Sequence, residues 1–170
     1  MTNLPRWLPP PLDWAAFNSD WNAFHDAAHQ IFTQEIMQQS LTYGGIKVIV
    51  DSRIEDGKEK AFWHITHVSY GAAQERVPDI ARTAKISWLR PLLENPSDSI
   101  VSVWKENVRK GRGKEARVYI WIESLEYLVV LAERKNHFYL VTAFATDSDR
   151  TQRKLEKARK EYTRNSGGSP

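Results

Sequence analysis

One histidine and the basic residues that follow it in the chain have side chains suited to acid–base chemistry on a phosphate ester. His64 stands twelve residues before Arg76, and Arg82 and Lys85 come next. Imidazole exchanges a proton near neutral pH, and a guanidinium group can bind phosphate oxygens through paired hydrogen bonds. A helix predicted to begin near residues 77–79 would add its positive N-terminal end. The spacing therefore predicts an anion-binding site with an acid/base beside it.

The same residues also have a purely structural interpretation. A single histidine on a predicted strand is more often structural than catalytic, and Arg82 could form a surface ion pair with Asp79, three residues earlier. His67 follows His64 by three positions, so on a strand their side chains would point to opposite sides of the sheet. The role of His67 stays open.

A second concentration of basic residues covers residues 105–117. Gly111 and Gly113 predict a hairpin turn within it, and aromatic residues flank it. Cationic side chains attract phosphates, while aromatic rings stack on bases. The candidate substrate-binding residues are Lys85, Trp104, Arg109, Lys110, Arg112, Arg117 and Trp121. The alternative is a solvated loop that only keeps the chain in solution.

Two further groups of residues have side chains that could do chemistry. Thr142 places one hydroxyl in the last apolar run, where it could hold a phosphate oxygen or orient a base, although threonine is also a common strand residue. His25 and His29 stand one helical turn apart, but beyond Asp26 no third ligand is evident. We therefore expect no metal site and no cofactor.

Composition limits the classes of protein that the chain can belong to. Of its 170 residues, 41% are apolar and 26% charged, as in a globular domain. The absence of cysteine excludes disulfide scaffolds, thiol catalysis and Cys-based zinc sites. No apolar run has the length of a membrane span and the N-terminus lacks signal-peptide features, so we expect a cytoplasmic protein with no membrane partner. Residues 1–60 carry a net charge of −3 and the remainder +6, which favours a polyanionic partner.

Hydrophobic periodicity predicts the elements that position these side chains. One long helix covers about 13–40, with Asp13 as its cap, and the core of a single domain (1–164) occupies about 46–162. The remaining predicted elements are a hairpin of 46–50 with 61–66, a helix from 77 or 79 to 93, strands at 100–104, 116–123, 127–133 and 137–145, and a last helix ending near 164. Residues 165–170 are predicted to be a disordered tail. This order predicts an α+β fold whose antiparallel sheet of four to six strands has its helices packed on one face.

Three segments, taken together, carry a resemblance to a known family. They are Phe-Trp-His-Ile-Thr at 62–66, Glu-Arg-Val-Pro-Asp-Ile-Ala-Arg at 75–82 with the Ile-Ser-Trp-Leu-Arg-Pro that follows at 86–91, and Leu-Val-Thr-Ala-Phe at 140–144. In these segments the chain resembles the phage- and mobile-element-associated nucleases of the Barnase–EndoU–colicin–RelE-like (BECR) group, over about residues 24–162. The resemblance implies a compact α+β fold with a four-stranded antiparallel sheet, and metal-independent cleavage of RNA, often tRNA.

The resemblance also implies roles for particular residues. It makes His64 the general acid/base, Arg76 and Arg82 the phosphate binders, and Thr142 the hydroxyl at the scissile bond. His67 stands where we expect a polar residue of no fixed type. The implied protein is a cytoplasmic endoribonuclease that acts as a toxin or in phage–host conflict, with RNA as its partner and an immunity or antitoxin protein as a further candidate partner.

Two other classes of function stay open on the sequence. The first is a non-catalytic RNA-binding module that uses the basic hairpin 105–117 as its arm. The second is a protein-interaction domain in which Trp7, Trp14 and Trp21 dock on a partner.

Overall fold

The computed structural model describes residues 3–166, and its main sheet has six strands with helices around it. The strands are β1 (Thr42–Tyr43), β2 (Ile46–Ile49), β3 (Ile54–Glu55), β4 (Lys58–Glu59), β5 (His67–Tyr70), β6 (Glu75–Pro78), β7 (Ser102–Lys110), β8 (Gly113–Ile122), β9 (Tyr127–Glu133) and β10 (Phe138–Ala145). The helices are α1 (Trp21–Phe32), α2 (Lys60–Thr66), α3 (Ile80–Ala84), α4 (Leu89–Glu94) and α5 (Asp149–Ser166). Single helical turns lie at Trp14–Phe17, Thr33–Met37, Ile86–Trp88 and Glu123–Leu125.

The main sheet has the strand order β1-β2-β10-β9-β8-β7. Strands β7 to β10 form an antiparallel meander, as the apolar runs and turn residues predict. Strand β2, in contrast, runs parallel to β10, with Phe138 opposite Val48 and Tyr139 opposite Ile49. The α+β class is confirmed, whereas the sheet is mixed and the expectation of a wholly antiparallel sheet is wrong.

Helices lie against both faces of the sheet. Ile120, Val129 and Leu140 belong to a large apolar core that also contains residues of α1, α2 and α4. Trp121 and Val130 point the other way and pack with Leu155 of α5. The prediction that all helices share one face is therefore wrong, because alternate residues of β8 and β9 are apolar on both sides and each face needs a cover.

The predicted helix over 13–40 is interrupted near its start. Asp13 does cap a helical turn, but only Trp14–Phe17 follows it before Asn18 and Ser19 adopt positive φ angles of 51° and 59°. Asp20 then caps α1 by accepting a hydrogen bond from the backbone N–H of Ala23. The aromatic residues before and after the break still pack together, since the rings of Trp14 and Phe17 both contact the ring of Phe24. Their spacing in the sequence therefore resembles that of one continuous helix.

Residues 61–66 form helix α2, so the hairpin predicted for 46–50 and 61–66 is wrong. Strand β2 pairs with β1 and β10 instead. Phe62 and Ile65 enter the core from one side of α2, and the Thr66 hydroxyl donates to the carbonyl of Phe62 one turn earlier. A turn at Asp56-Gly57 lies between β2 and α2, but it joins only β3 to β4. Its φ angles are 50° at Asp56 and 79° at Gly57, where glycine has no steric penalty.

The predicted helix from 77 or 79 to 93 is divided into α3, the turn at Ile86–Trp88 and α4. Pro78 ends strand β6, and Asp79 caps α3 by accepting from the backbone N–H of Arg82. At the other end of the chain, α5 continues to Ser166, two residues beyond its predicted end. Residues 167–170 of the predicted tail lie outside the described residues. Between residues 3 and 166, no helix is long and apolar enough to cross a membrane.

Candidate active site

A cavity of about 630 Å³ lies between α2, the β5–β6 hairpin and the first half of β10. It brings together residues from four separate stretches of the chain. Its described lining residues are Asp51, Arg53, Glu55, Lys60, Ala61, Trp63, His64, Ile65, Ser69, Gln74, Arg76, Tyr139, Leu140 and Val141. Two of the four predicted catalytic residues, His64 and Arg76, therefore share one site.

His64 reaches this cavity from the last turn of α2 rather than from a strand. Lys60 lies one helical turn earlier and lines the same cavity. The residue remains exposed, but the protein atoms around its ring displace water, and this desolvation lowers the pKa of His64 below the ordinary 6.5. The positive charges of Arg82 and Lys60 lower that pKa further. At pH 7 the imidazole is consequently neutral and able to accept a proton.

Arg76, on β6, is held in place by residues from outside its own strand. Its guanidinium forms salt bridges with Glu55 (2.6 Å) and Asp56 (2.9 Å). The guanidinium carbon also lies 5.0 Å from the centre of the Trp63 ring, close enough for a cation–π contact. The group is thus preorganised, but two carboxylates share its charge, so an incoming anion has to compete with them.

A third polar group of the cavity consists of Asp51, Arg53 and Tyr139. Arg53 donates two hydrogen bonds to the Asp51 carboxylate, at 2.9 and 2.6 Å, and these contacts lower the pKa of Asp51 to about 2. The Tyr139 hydroxyl donates to Asp51 at 3.4 Å. Desolvation and the neighbouring Asp51 charge raise the pKa of Tyr139 above 10, so this phenol keeps its proton at neutral pH. Sequence reasoning missed all three residues, since nothing local marks them as neighbours.

Arg82 and Thr142 are not among the described residues that line the cavity. Arg82 forms a salt bridge with Asp79 at 3.0 Å and lies over the Phe144 ring, although it is near enough to lower the pKa of His64. Thr142 pairs with Val130 directly after an irregularity in β10 and is half-buried. The cavity wall is formed instead by the residues just before it, which include Tyr139 and Val141.

The predicted substrate-binding residues do not form one surface. Lys85 donates to the carbonyl groups of Leu125 and Glu126, at the end of β8 remote from the hairpin turn. Trp104 and Trp121 are buried, with 1% and 0% of their surface exposed, so the prediction that they stack on bases is wrong. The alternation of polar and apolar residues in β7 and β8 does not reveal that the two indoles are buried. They are buried because α5, a separate segment of the chain, covers the face of the sheet on which both lie.

The hairpin holds six cations, and the four of them that are predicted to bind substrate divide into two pairs. Lys110 and Arg117 are bound to the buried Glu115, each at 2.9 Å. Arg109 and Arg112 are exposed and make no ion pair within residues 3–166. Only this second pair matches the free phosphate-binding residues that the sequence predicts.

Behind the cavity, two histidines share one threonine hydroxyl. His25 Nε2 lies 3.2 Å and His67 Nδ1 2.9 Å from Thr66 Oγ1, and all three residues are buried. Because that hydroxyl donates to the Phe62 carbonyl, its oxygen accepts, and each ring nitrogen must carry the proton. Desolvation lowers the pKa of both histidines, to about 4 for His25. His67 therefore supports the cavity wall as a neutral residue, and its ring packs edge-on against Trp21 and tilted by 56° against Trp63.

The three tryptophans of the alternative protein-interaction arm fold back onto the domain. The Trp7 indole N–H donates to Asp98 at 2.8 Å, while Trp14 and Trp21 pack against Phe24. All three are half-buried, so they do not project as a docking arm.

The cavity combines a neutral imidazole, a protonated phenol, a fixed guanidinium and a lysine. This set can accept a proton, donate a proton and stabilise negative charge at one place. In the described part of the chain, no group of three or more histidine or acidic side chains is arranged to hold a metal ion. Comparison with protein-family models, curated proteins and solved structures finds no match to the chain.

Proposed function

We propose that the chain is an endoribonuclease that cleaves RNA in the cavity, using the ribose 2′-hydroxyl as nucleophile and His64 as base. The observation that carries the proposal is the presence of a neutral, solvent-accessible imidazole in the same cavity as Arg76 and Lys60. A base must be unprotonated to act, and a phosphate needs cations beside it. The cavity supplies both.

The proposed reaction proceeds by transfer within the RNA strand. His64 accepts the proton of the 2′-hydroxyl, whose oxygen forms a bond to the adjacent phosphorus while the bond from phosphorus to the 5′-oxygen breaks. The products are a 2′,3′-cyclic phosphate and a 5′-hydroxyl. Since the nucleophile belongs to the substrate, the protein needs only to move protons and stabilise charge.

Tyr139 is the best-placed group to protonate the leaving 5′-oxygen. Its pKa lies above 10, so the phenol is protonated over the whole neutral range, and it lines the same cavity as His64. Its hydrogen bond to Asp51 orients the hydroxyl. Arg76 and Lys60 would stabilise the additional negative charge on the phosphate in the transition state.

The direct test is incubation of the purified chain with a mixed-sequence RNA in the presence of EDTA, followed by end-group analysis. We expect products with 2′,3′-cyclic phosphate and 5′-hydroxyl ends. A matched strand with 2′-O-methyl groups throughout serves as the control and should remain intact. Loss of cleavage with EDTA, or equal cleavage of the methylated strand, would overturn the proposal.

A non-catalytic RNA-binding role is the second candidate, and one observation favours it. The two carboxylates that pair with Arg76 leave less of its charge available to a phosphate, while Arg109 and Arg112 of the hairpin stay unpaired within residues 3–166. This candidate predicts salt-dependent RNA binding with no products at all, so the same incubation distinguishes the two. An immunity or antitoxin partner and a tRNA substrate remain predictions.

A further inference from the structure

One face of the sheet carries a row of cations that ends at the cavity. Lys110, Arg117 and Arg134 come from β7, β8 and the β9–β10 turn, and all three contact the carboxylate of Glu115, at 2.9, 2.9 and 2.8 Å. We call these three cations together with Glu115 the cationic strip.

Glu115 fixes the strip without neutralising it. Its side chain is 6% exposed. Burial alone would raise the pKa of Glu115, but the hydrogen bonds from the three cations together lower it to about 2. One negative charge therefore faces three positive charges, which leaves a net charge of +2 on a rigid framework.

The strip is continuous with the cavity through Tyr139. The Arg134 guanidinium lies 5.9 Å from the centre of the Tyr139 ring, and that ring lines the cavity. In the sheet, Arg117 pairs with Ala132, which pairs in turn with Tyr139, so Arg117 lies two strands, or about 10 Å, from Tyr139.

Helix α5 leaves this part of the face uncovered. The buried residues that pack with Leu155 of α5 begin beyond the strip, and Trp104 and Trp121 are among them, whereas Lys110, Arg117 and Arg134 keep 61%, 26% and 33% of their side-chain surface exposed. Arg159 of α5 likewise reaches Ser102 and Glu123, at the end of the sheet remote from the hairpin turn. The strip is thus accessible from solvent next to the cavity mouth.

We infer that the cationic strip binds the phosphate backbone of single-stranded RNA that flanks the bond cleaved in the cavity. This inference rests on the proposed function and adds the part of the substrate outside the cavity. An anionic membrane is the other polyanion to consider. It is disfavoured because none of the large exposed apolar side chains lies in residues 105–117 or 133–139, so the strip has nothing to insert into lipid.

The test compares two variants that remove the same charge. Lys110→Gln/Arg134→Gln removes two cations of the strip and keeps the Arg117–Glu115 pair, so that Glu115 is not left buried alone. Lys157→Gln/Lys160→Gln removes two exposed cations of α5, whose salt bridges within the helix are loose at 4.0 and 3.9 Å. The ligand is a fluorescent 2′-O-methyl RNA of about 12 nucleotides, which cannot be cleaved by 2′-hydroxyl attack.

We expect the strip variant to bind this RNA roughly tenfold more weakly, and the slope of log Kd against log salt to fall by about 1.4, or about 0.7 for each cation removed. The α5 variant should bind within about twofold of the wild-type chain. Equal weakening of RNA binding by both variants, or no weakening by the strip variant, would overturn the inference. So would a strip variant that binds vesicles of anionic lipid more weakly than the wild-type chain does but binds the RNA equally well.

Failure of the inference can be told apart from failure of the proposed function. The binding measurement uses an RNA that cannot react, while cleavage is followed separately on a short RNA that fills only the cavity. If the wild-type chain binds but never cleaves, and only the strip variant binds more weakly, the proposed function is wrong and the strip stands. If both double variants cleave and bind like the wild-type chain, the strip is wrong and the cavity assignment stands.

Discussion

The guanidinium of Arg76 lies over the indole ring of Trp63, with its central carbon 5.0 Å from the ring centre. Arg76 comes from β6 and Trp63 from α2, and both line the cavity that also contains His64. Salt bridges to Glu55 and Asp56 fix the same guanidinium from another side. The cation is therefore in position before any substrate arrives, at the cost of sharing its charge.

That arrangement gives opposite expectations for two substitutions. Arg76→Gln should lower kcat/KM for RNA about 100-fold, because one donor to the transition state is removed. Asp56→Asn removes a carboxylate that is 74% exposed and should tighten RNA binding by a few-fold, because Arg76 is released for the phosphate. Steady-state kinetics and binding on one RNA test both. If the two variants change kcat/KM in the same direction and by the same factor, Arg76 has only a structural role.

The pH dependence of cleavage follows from two pKa shifts. The pKa of His64 is lowered below 6.5, so activity should rise with pH and reach its plateau before neutrality. The pKa of Tyr139 is raised above 10, so activity should fall only in strongly alkaline solution. We expect a broad plateau in kcat/KM between these limits, and Tyr139→Phe should abolish the alkaline fall as well as most of the activity. An acid limb centred above pH 7 would contradict the assignment of His64 as the base.

Glu115 should contribute much more to stability than an exposed carboxylate of the same sheet. Its pKa is lowered from 4.5 to about 2, so its contribution is present above pH 4.5 and disappears as the pH falls towards 2. Glu115→Gln should therefore lower the free energy of unfolding at pH 7 by about 3 kcal/mol. Glu133, the salt-bridge partner of Lys105, is more exposed than Glu115. Glu133→Gln should therefore lower the free energy of unfolding by less than about 1 kcal/mol. Urea denaturation at pH 7 measures both, and equal decreases would contradict the central role of Glu115 in the strip.

The buried pair of histidines should make the domain sensitive to mild acid. In the folded state the pKa of His25 is about 4, whereas in the unfolded chain it is near 6.5, so the unfolded state binds more protons between these values. Stability should consequently fall as the pH drops from about 6.5 to about 4. His25→Gln keeps a donor for Thr66 but cannot titrate, and it should reduce the fall in unfolding free energy between pH 7 and pH 4.5 by about 2 kcal/mol. An unchanged pH dependence in this variant would show that the pKa of His25 is the same in the folded and unfolded states, contrary to this account.

The strands of the meander could be predicted from the sequence because their signals are local. Residues 127–132 form an unbroken apolar run, and the strand predicted at 127–133 has the same bounds as β9. Gly111 marks the turn between β7 and β8, where its φ angle is 58°. Each of these features depends on residues that are adjacent in the chain, and neither requires knowledge of what packs against it.

Helix α2 and the cavity could not be predicted in the same way. Residues 62–66 are aromatic and β-branched, which favours a strand, and a helix of seven residues is too short to establish a period. Its conformation depends on burial of Phe62 and Ile65 in the core. The contacts that complete the site are also remote in sequence, since Tyr139 meets Asp51 across 88 residues and His25 meets Thr66 across 41. His64 and Arg76 can be singled out by residue type, spacing and the family resemblance, whereas their neighbours in the cavity require the fold.

A single-turnover measurement on His64→Gln examines the proposed base without interference from product release. Glutamine keeps the polar side chain but cannot accept a proton at neutral pH, so the cleavage rate should fall by about 10²- to 10⁴-fold while the Kd for uncleavable RNA changes by less than about twofold. His137→Gln, in the β9–β10 turn and outside the cavity lining, is the matched control and should cleave at the wild-type rate. A His64→Gln variant that cleaves RNA as fast as the wild-type chain would contradict the assignment on which the proposed mechanism depends.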